Sequence, residues 1–153
     1  MKRWTAALMV LMIAVIAGCA YGGSQAGLPD QLPEMIEVQI LSEPEKLNSG
    51  EPVAIQAKVT QGNEAVTDAK SVMFEVWHSG DEHHEMLEGT HAGDGIYSIE
   101  KTFEQDGVYN VIAHVTARDM HNMPRKQFIV GTVSDEEIEQ AKDSLYDQSS
   151  HMN

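Results

Sequence analysis

Imidazole and thioether side chains recur along this chain in short groups: His78, the run His83-His84-Glu85-Met86, His91, His114, and the run Met120-His121-Asn122-Met123. Thioether is a soft donor that favours Cu(I), and imidazole accepts both oxidation states of copper, so the two together point to copper. Side chains two apart on a strand share a face. His84 and Met86 would therefore project together, as would His121 and Met123, although Pro124 makes that second run more loop than strand. His114 is opposite in phase to Val111, Ala113 and Val115 and is expected to face outward. The predicted metal set is His91, His114, His121 and Met123, with Met120 as an axial or alternative ligand. His83, His84 and Met86 form a second, subordinate group. The competing reading is a set of solvated surface imidazoles, with Met120 and Met123 packed under a loop.

Other chemistries find little to work with. Cys19 is the only cysteine, so there is no disulfide framework and no second thiolate to act as nucleophile or ligand. Gly93-Asp94-Gly95 is a turn without the strand–loop–helix setting of a phosphate loop. No G-x-S-x-G nucleophile motif occurs. Paired carboxylates follow simply from 24 Asp and Glu, so the expectation is a protein that is not an enzyme.

The elements that must position these residues alternate with period two. Ile36, Val38 and Ile40 form one apolar set; Val53, Ile55, Ala57 and Val59 a second; Val72, Phe74 and Val76 a third. Tyr97, Ile99 and Phe103 follow, then Tyr109, Val111, Ala113 and Val115, and finally Phe128 and Val130. Turn signals separate them, among them Asn48-Ser49-Gly50, Gln61-Gly62-Asn63, Ser79-Gly80-Asp81 and Gln105-Asp106-Gly107. Six or seven short strands spaced in this way predict an all-β, immunoglobulin-like antiparallel sandwich. Asp106-Gly107-Val108-Tyr109 before an alternating run reads as a tyrosine corner. Strands are then expected over 71–78, 84–89, 96–103, 109–117 and 125–132. In that topology the segment after 109–117 lies near His91, and His78, His83 and His84 lie at the far end. Trp77 falls in the outward phase beside Met73, where it marks a binding face with Ile112 or a satellite cluster under a neighbouring element.

The two ends of the chain have different characters. Lys2 and Arg3, an apolar run over 4–17 and the small residues before Cys19 describe an export signal. The run is shorter than the roughly 20 residues that cross a bilayer as a helix. Ile16-Ala17-Gly18-Cys19 resembles the lipobox of bacterial lipoproteins, so residues 1–18 are expected to be removed and Cys19 to carry a covalent lipid. That places the protein outside the cytoplasm, anchored to the cell membrane by lipid. A Gly- and Ser-containing tether over 19–33, the sandwich over 34–132 and an acidic tail over 133–153 complete the organisation. In the tail Ser134 and Glu137 fit a capping box ahead of Ile138, Ala141 and Leu145, predicting a short helix, with residues 147–153 disordered. The formal charge of −14 repels nucleic acid and anionic headgroups, so neither is an expected partner.

Trp77 ending one strand, Gly95-Ile96-Tyr97 opening another, Asp106-Gly107-Val108-Tyr109 opening a third and the Met-rich turn after it resemble the YtkA-like domain, related to FixH, over roughly residues 35–131. The resemblance implies a small exported or membrane-anchored immunoglobulin-like module. FixH relatives are associated with assembly of copper-containing respiratory oxidases, which lends weight to copper handling and to an oxidase or other membrane protein as partner. His121-Asn122-Met123 is similar to the His-x-Met ending of periplasmic copper chaperones, whose upstream His and Met spacing is not reproduced here. A metal-free module that binds a membrane protein through the face around Trp77 is the alternative.

Overall fold

The computed structural model describes residues 34–44 and 46–150, with side chains up to residue 143. The expected signal over 1–18, the lipidated Cys19, the tether over 19–33 and residues 151–153 lie outside the described residues.

The alternating runs form two antiparallel sheets. In the first, β1 (Ile36–Glu43), β2 (Pro52–Gln61), β7 (Ile96–Thr102) and β6 (Thr90–Gly93) lie side by side in that order, and the short β3 (Glu64–Ala65) hairpins onto β2. In the second the order is β10 (Arg125–Val130), β8 (Gly107–Ala117), β4 (Ser71–His78) and β5 (Glu85–Glu88), with β9 (Met120–Asn122) also on β8. This is the strand order of an immunoglobulin-like sandwich, as the sequence predicts. The chain passes from the first sheet to the second after the cis Glu43–Pro44 bond, where Leu47 pairs in parallel with Val130.

The inward phases meet between the sheets. Ile55, Ala57 and Val59 of β2 and Tyr97 and Ile99 of β7 face Val72, Phe74 and Val76 of β4 and Val111, Ala113 and Val115 of β8, all in one buried cluster. At about 25 cal/mol per Å² of apolar surface, each buried Val, Ile or Phe side chain of this set stabilises the fold by roughly 1.5–3 kcal/mol. Tyr109 Oη donates to the carbonyl of Gln105 at 3.1 Å, which completes the tyrosine corner. The open edge of β1 is covered from the second sheet. Asn122 Nδ2 donates to Ile36 O at 2.8 Å and Lys126 Nζ to Ile40 O at 3.1 Å. Such side-chain donors blunt an edge that would otherwise offer unpaired carbonyls.

Two departures from the sequence reading matter for the site. The segment after β8 is not a loop. Arg118 and Asp119 both adopt positive φ (50° and 61°) in a two-residue turn that folds β9 straight back onto β8. The ladder then runs on through Pro124, whose carbonyl accepts from Ala113 N at 3.1 Å, into β10 in unchanged register. Proline lacks an N–H but keeps its acceptor, so it interrupts the strand without ending it. The tail helix α1 (Asp135–Ser150) is also longer than expected and reaches into the stretch read as disordered. Ser134 Oγ caps it by accepting from Glu137 N at 3.3 Å. Ala141 is buried, and its carbonyl accepts from Gln127 Nε2 at 3.2 Å, which docks the helix on the second sheet.

Candidate functional site

The outward phase of the second sheet gathers most of the sequence-predicted donors. Ser71, Met73, Glu75 and Trp77 of β4 share a face with Thr116, His114, Ile112 and Asn110 of β8, each directly opposite the other in that order. On the β5 side, Glu88 stands opposite Met73 and Met86 opposite Glu75. On the far side of β8, His121 stands opposite Thr116 and Arg125 opposite Ile112. The uninterrupted register places Met123 opposite His114. His114 thus has a methionine on each neighbouring strand, and directly opposed residues have Cβ atoms about 4.5–5.5 Å apart.

Glu75 lies at the centre of this face. Its Oε1 accepts from His84 Nδ1 at 2.5 Å and its Oε2 from His114 Nε2 at 2.7 Å. Burial pushes the Glu75 carboxyl up, but the two imidazole hydrogen bonds and their charges outweigh it and hold the group below its ordinary value. His84 also stacks on the Trp77 indole, with centroids 4.3 Å apart and planes 13° from parallel. The Arg125 guanidinium stands over the same indole at 5.1 Å. His114 and His121 have ring centroids 6.4 Å apart, and His121 Nδ1 shares a hydrogen bond of 3.0 Å with Thr116 Oγ1.

The arrangement differs from the predicted one in several ways. His91 does not join His114 and His121: β6 belongs to the other sheet, and the His91 ring packs on Tyr97, 4.9 Å away between centroids. Met120 falls in the inward phase of β9 and packs against the core cluster. His83 is exposed and lines a cleft of about 210 Å³ with His78, Asp81 and Lys101. His84 and His114, which the sequence reading put at opposite ends, bind one carboxylate. Met86 and Met123 stay on the face, each about half exposed (50%). Trp77 is only 6% exposed, so it is a covered residue rather than an open binding face. Met73 and Glu75 were missed as site residues. Their only signal was the shared outward phase with Trp77, and nothing marked Glu75 among the other acids.

Chemically, the face is a poor cage for a hard cation. Among the described residues no group of three or more His, Cys, Asp or Glu is set to hold a metal ion. What it presents instead is imidazole with thioether. Glu75 accepts from the Nε2–H of His114 and leaves Nδ1 as the available ring nitrogen. The bond to Thr116 likewise leaves Nε2 of His121. A metal-ligating histidine is typically oriented by a hydrogen bond from its other nitrogen to a carboxylate or hydroxyl. An ion about 2 Å from a ring nitrogen lies roughly 3 Å from that ring's centre. Twice that reach is roughly 6 Å, so one ion could join the two rings, whose centroids are 6.4 Å apart, only after a small side-chain movement.

Fold and face together define a small immunoglobulin-like sandwich module whose outer sheet face is built from histidine, methionine and one shared carboxylate. The chain belongs to the YtkA-like family, whose model matches residues 30–114. That stretch includes Met73, Glu75, His84, Met86 and His114 and stops short of His121 and Met123. No curated protein matches the chain. Among solved structures it is similar to a superoxide reductase (neelaredoxin) from Ignicoccus hospitalis, at 11% identity and TM-score 0.40, covering 64% of this chain and 81% of that one. It is also similar to the PKD domain of the human receptor SorCS2, at 20% identity and TM-score 0.40, covering 67% and 77%. A redesigned β-sandwich protein gives 13% identity and TM-score 0.38, covering 68% and 98%.

Proposed function

We propose that this chain is a non-enzymatic, exported lipoprotein module that carries copper on the outer face of its second sheet and delivers it to a membrane protein, a copper-requiring respiratory oxidase being the partner class. The observation that carries the reading is His114, oriented by Glu75 and flanked in register by Met73 and Met123, with His121 6.4 Å away between ring centroids. Two imidazoles and two thioethers are donors that suit Cu(I). Membership of the YtkA-like family and the export signal with Cys19 are compatible with an extracytoplasmic, lipid-anchored protein. No helix among the described residues is long and apolar enough to cross a membrane. The metal-free alternative relied on an open Trp77 face, and Trp77 is covered by His84 and Arg125.

Competition of the full chain against a chromophoric Cu(I) chelator tests the proposal. The native chain is expected to withdraw Cu(I) from the chelator, and His114→Ala with His121→Ala to lose that ability while remaining folded by circular dichroism. Failure of the native chain to compete, or competition undiminished in the double variant, would overturn it.

A further inference from the structure

We infer that this face holds two soft monovalent cations rather than one, the second at His84 and Met86 on the other side of Glu75. The inference rests on the copper reading above and extends it to a site outside the His114 group. Glu75 gives one oxygen to each of two imidazoles, His84 on Oε1 and His114 on Oε2. The carboxylate therefore occupies the space between the rings, and no single ion can bridge them unless Glu75 moves out. Each ring gives one nitrogen to the carboxylate and keeps the other, Nδ1 on His114 and Nε2 on His84, on the side away from that bond. The His84 ring is fixed a second time by its stacking on Trp77, so its free nitrogen has a defined direction.

Each imidazole also has its own thioether. Met73 and Met123 flank His114. Met86 lies directly across the β4–β5 ladder from Glu75 and two residues from His84, with half of its surface exposed. The face thus repeats one unit on both sides of the carboxylate: an imidazole oriented by Glu75 beside a methionine. An imidazole and a thioether form a small, soft donor pair that suits Cu(I) or Ag(I) and gives little to hard cations, which take oxygen. A shared carboxylate between two monovalent cations offsets part of their mutual repulsion, which falls only slowly with distance at a half-buried site.

Silver, a soft monovalent cation with no accessible redox change, is the probe. The full chain in detergent micelles is titrated with Ag(I), counting bound ions by native mass spectrometry and following the assigned methionine methyl signals by NMR. Two ions are expected. The Met73 and Met123 methyls should move in one step and the Met86 methyl in another. Met86→Leu, which keeps the apolar volume and removes the sulfur, should bind one fewer ion with the Met73 and Met123 shifts intact. A single bound ion with an unmoved Met86 methyl, or two ions retained in Met86→Leu, would overturn the second site and leave the first standing. No bound ion would overturn the copper reading itself.

Discussion

Glu75→Gln separates a carboxylate that organises the face from one that merely sits on it. The substitution preserves shape, so Ile112 and Met86 keep their neighbour across the ladder. Its effect lies in hydrogen-bond logic. The carboxylate accepts from two imidazole N–H groups at 2.5 and 2.7 Å. The amide has one acceptor and one donor end. One of the two rings must then accept from the amide and carry its proton on the outward nitrogen, where it cannot bind a metal. Loss of a carboxylate that orients a ligating histidine typically costs about 10–100-fold in metal affinity. At about 1.4 kcal/mol per tenfold that is roughly 1.4–2.8 kcal/mol. The fold should lose a comparable amount. Two charge-assisted hydrogen bonds become neutral ones, for a loss of about 2–3 kcal/mol in all. Cu(I) competition titration reads the first quantity and urea denaturation the second. Glu88→Gln serves as the control, since it removes the same charge from the same face opposite Met73 without touching either imidazole. It should change affinity by no more than a few-fold. Equal effects of the two substitutions would refute the reasoning, because the contribution of Glu75 would then be only its charge.

Tyr109→Phe removes the corner hydrogen bond to Gln105 O; a loss of about 0.5–1.5 kcal/mol in urea denaturation is expected. Asp106 is held below its ordinary value by the Ser49 hydroxyl and then the Thr132 amide, both of which donate to its carboxylate. A lowered folded-state value contributes stability that is complete above the unfolded value near 3.8 and is lost as pH falls through the folded one. Asp106→Asn should therefore flatten the acid limb of Tm against pH below about 4, and an unchanged limb would count against these contacts. Ala141→Asp places a carboxylate at a position only 3% exposed under the docked helix. It should release α1 from Gln127 and open the tail to limited proteolysis at a cost of about 1–3 kcal/mol, and native-like protease resistance would show that the helix is not docked there.

What could be read from residue order alone was whatever depends on neighbours in sequence. The alternation of Val72, Phe74 and Val76 announces β4, the Asp106-Gly107 turn before Tyr109 announces the corner, and Ser134 with Glu137 announces the helix start. Each of these signals lies within a few residues. The site is different in kind, because it depends on register between strands distant in sequence. Glu75 meets a histidine 9 residues away and another 39 residues away. A one-residue slip in the β4–β8 ladder would turn His114 into the core and separate all three groups. The wrong placement of His121 and Met123 beside His91 has the same origin. Pro124 was read as a break, yet proline withholds only a donor, and its carbonyl keeps the ladder with Ala113 intact. The tight turn before it was hidden as well, since Arg118 at positive φ goes against its own propensity and is held there by Gln61 and Glu64 of the first sheet and by Asp68 of the link between β3 and β4. Glu75 was the least legible residue of all. In a chain with 24 acids its identity carries no signal, and it becomes distinctive only because the ladder brings an imidazole to each of its two oxygens. Apart from Met73 the donors could be named from the sequence, but the carboxylate that turns two scattered groups into one face appears only once the strands are paired.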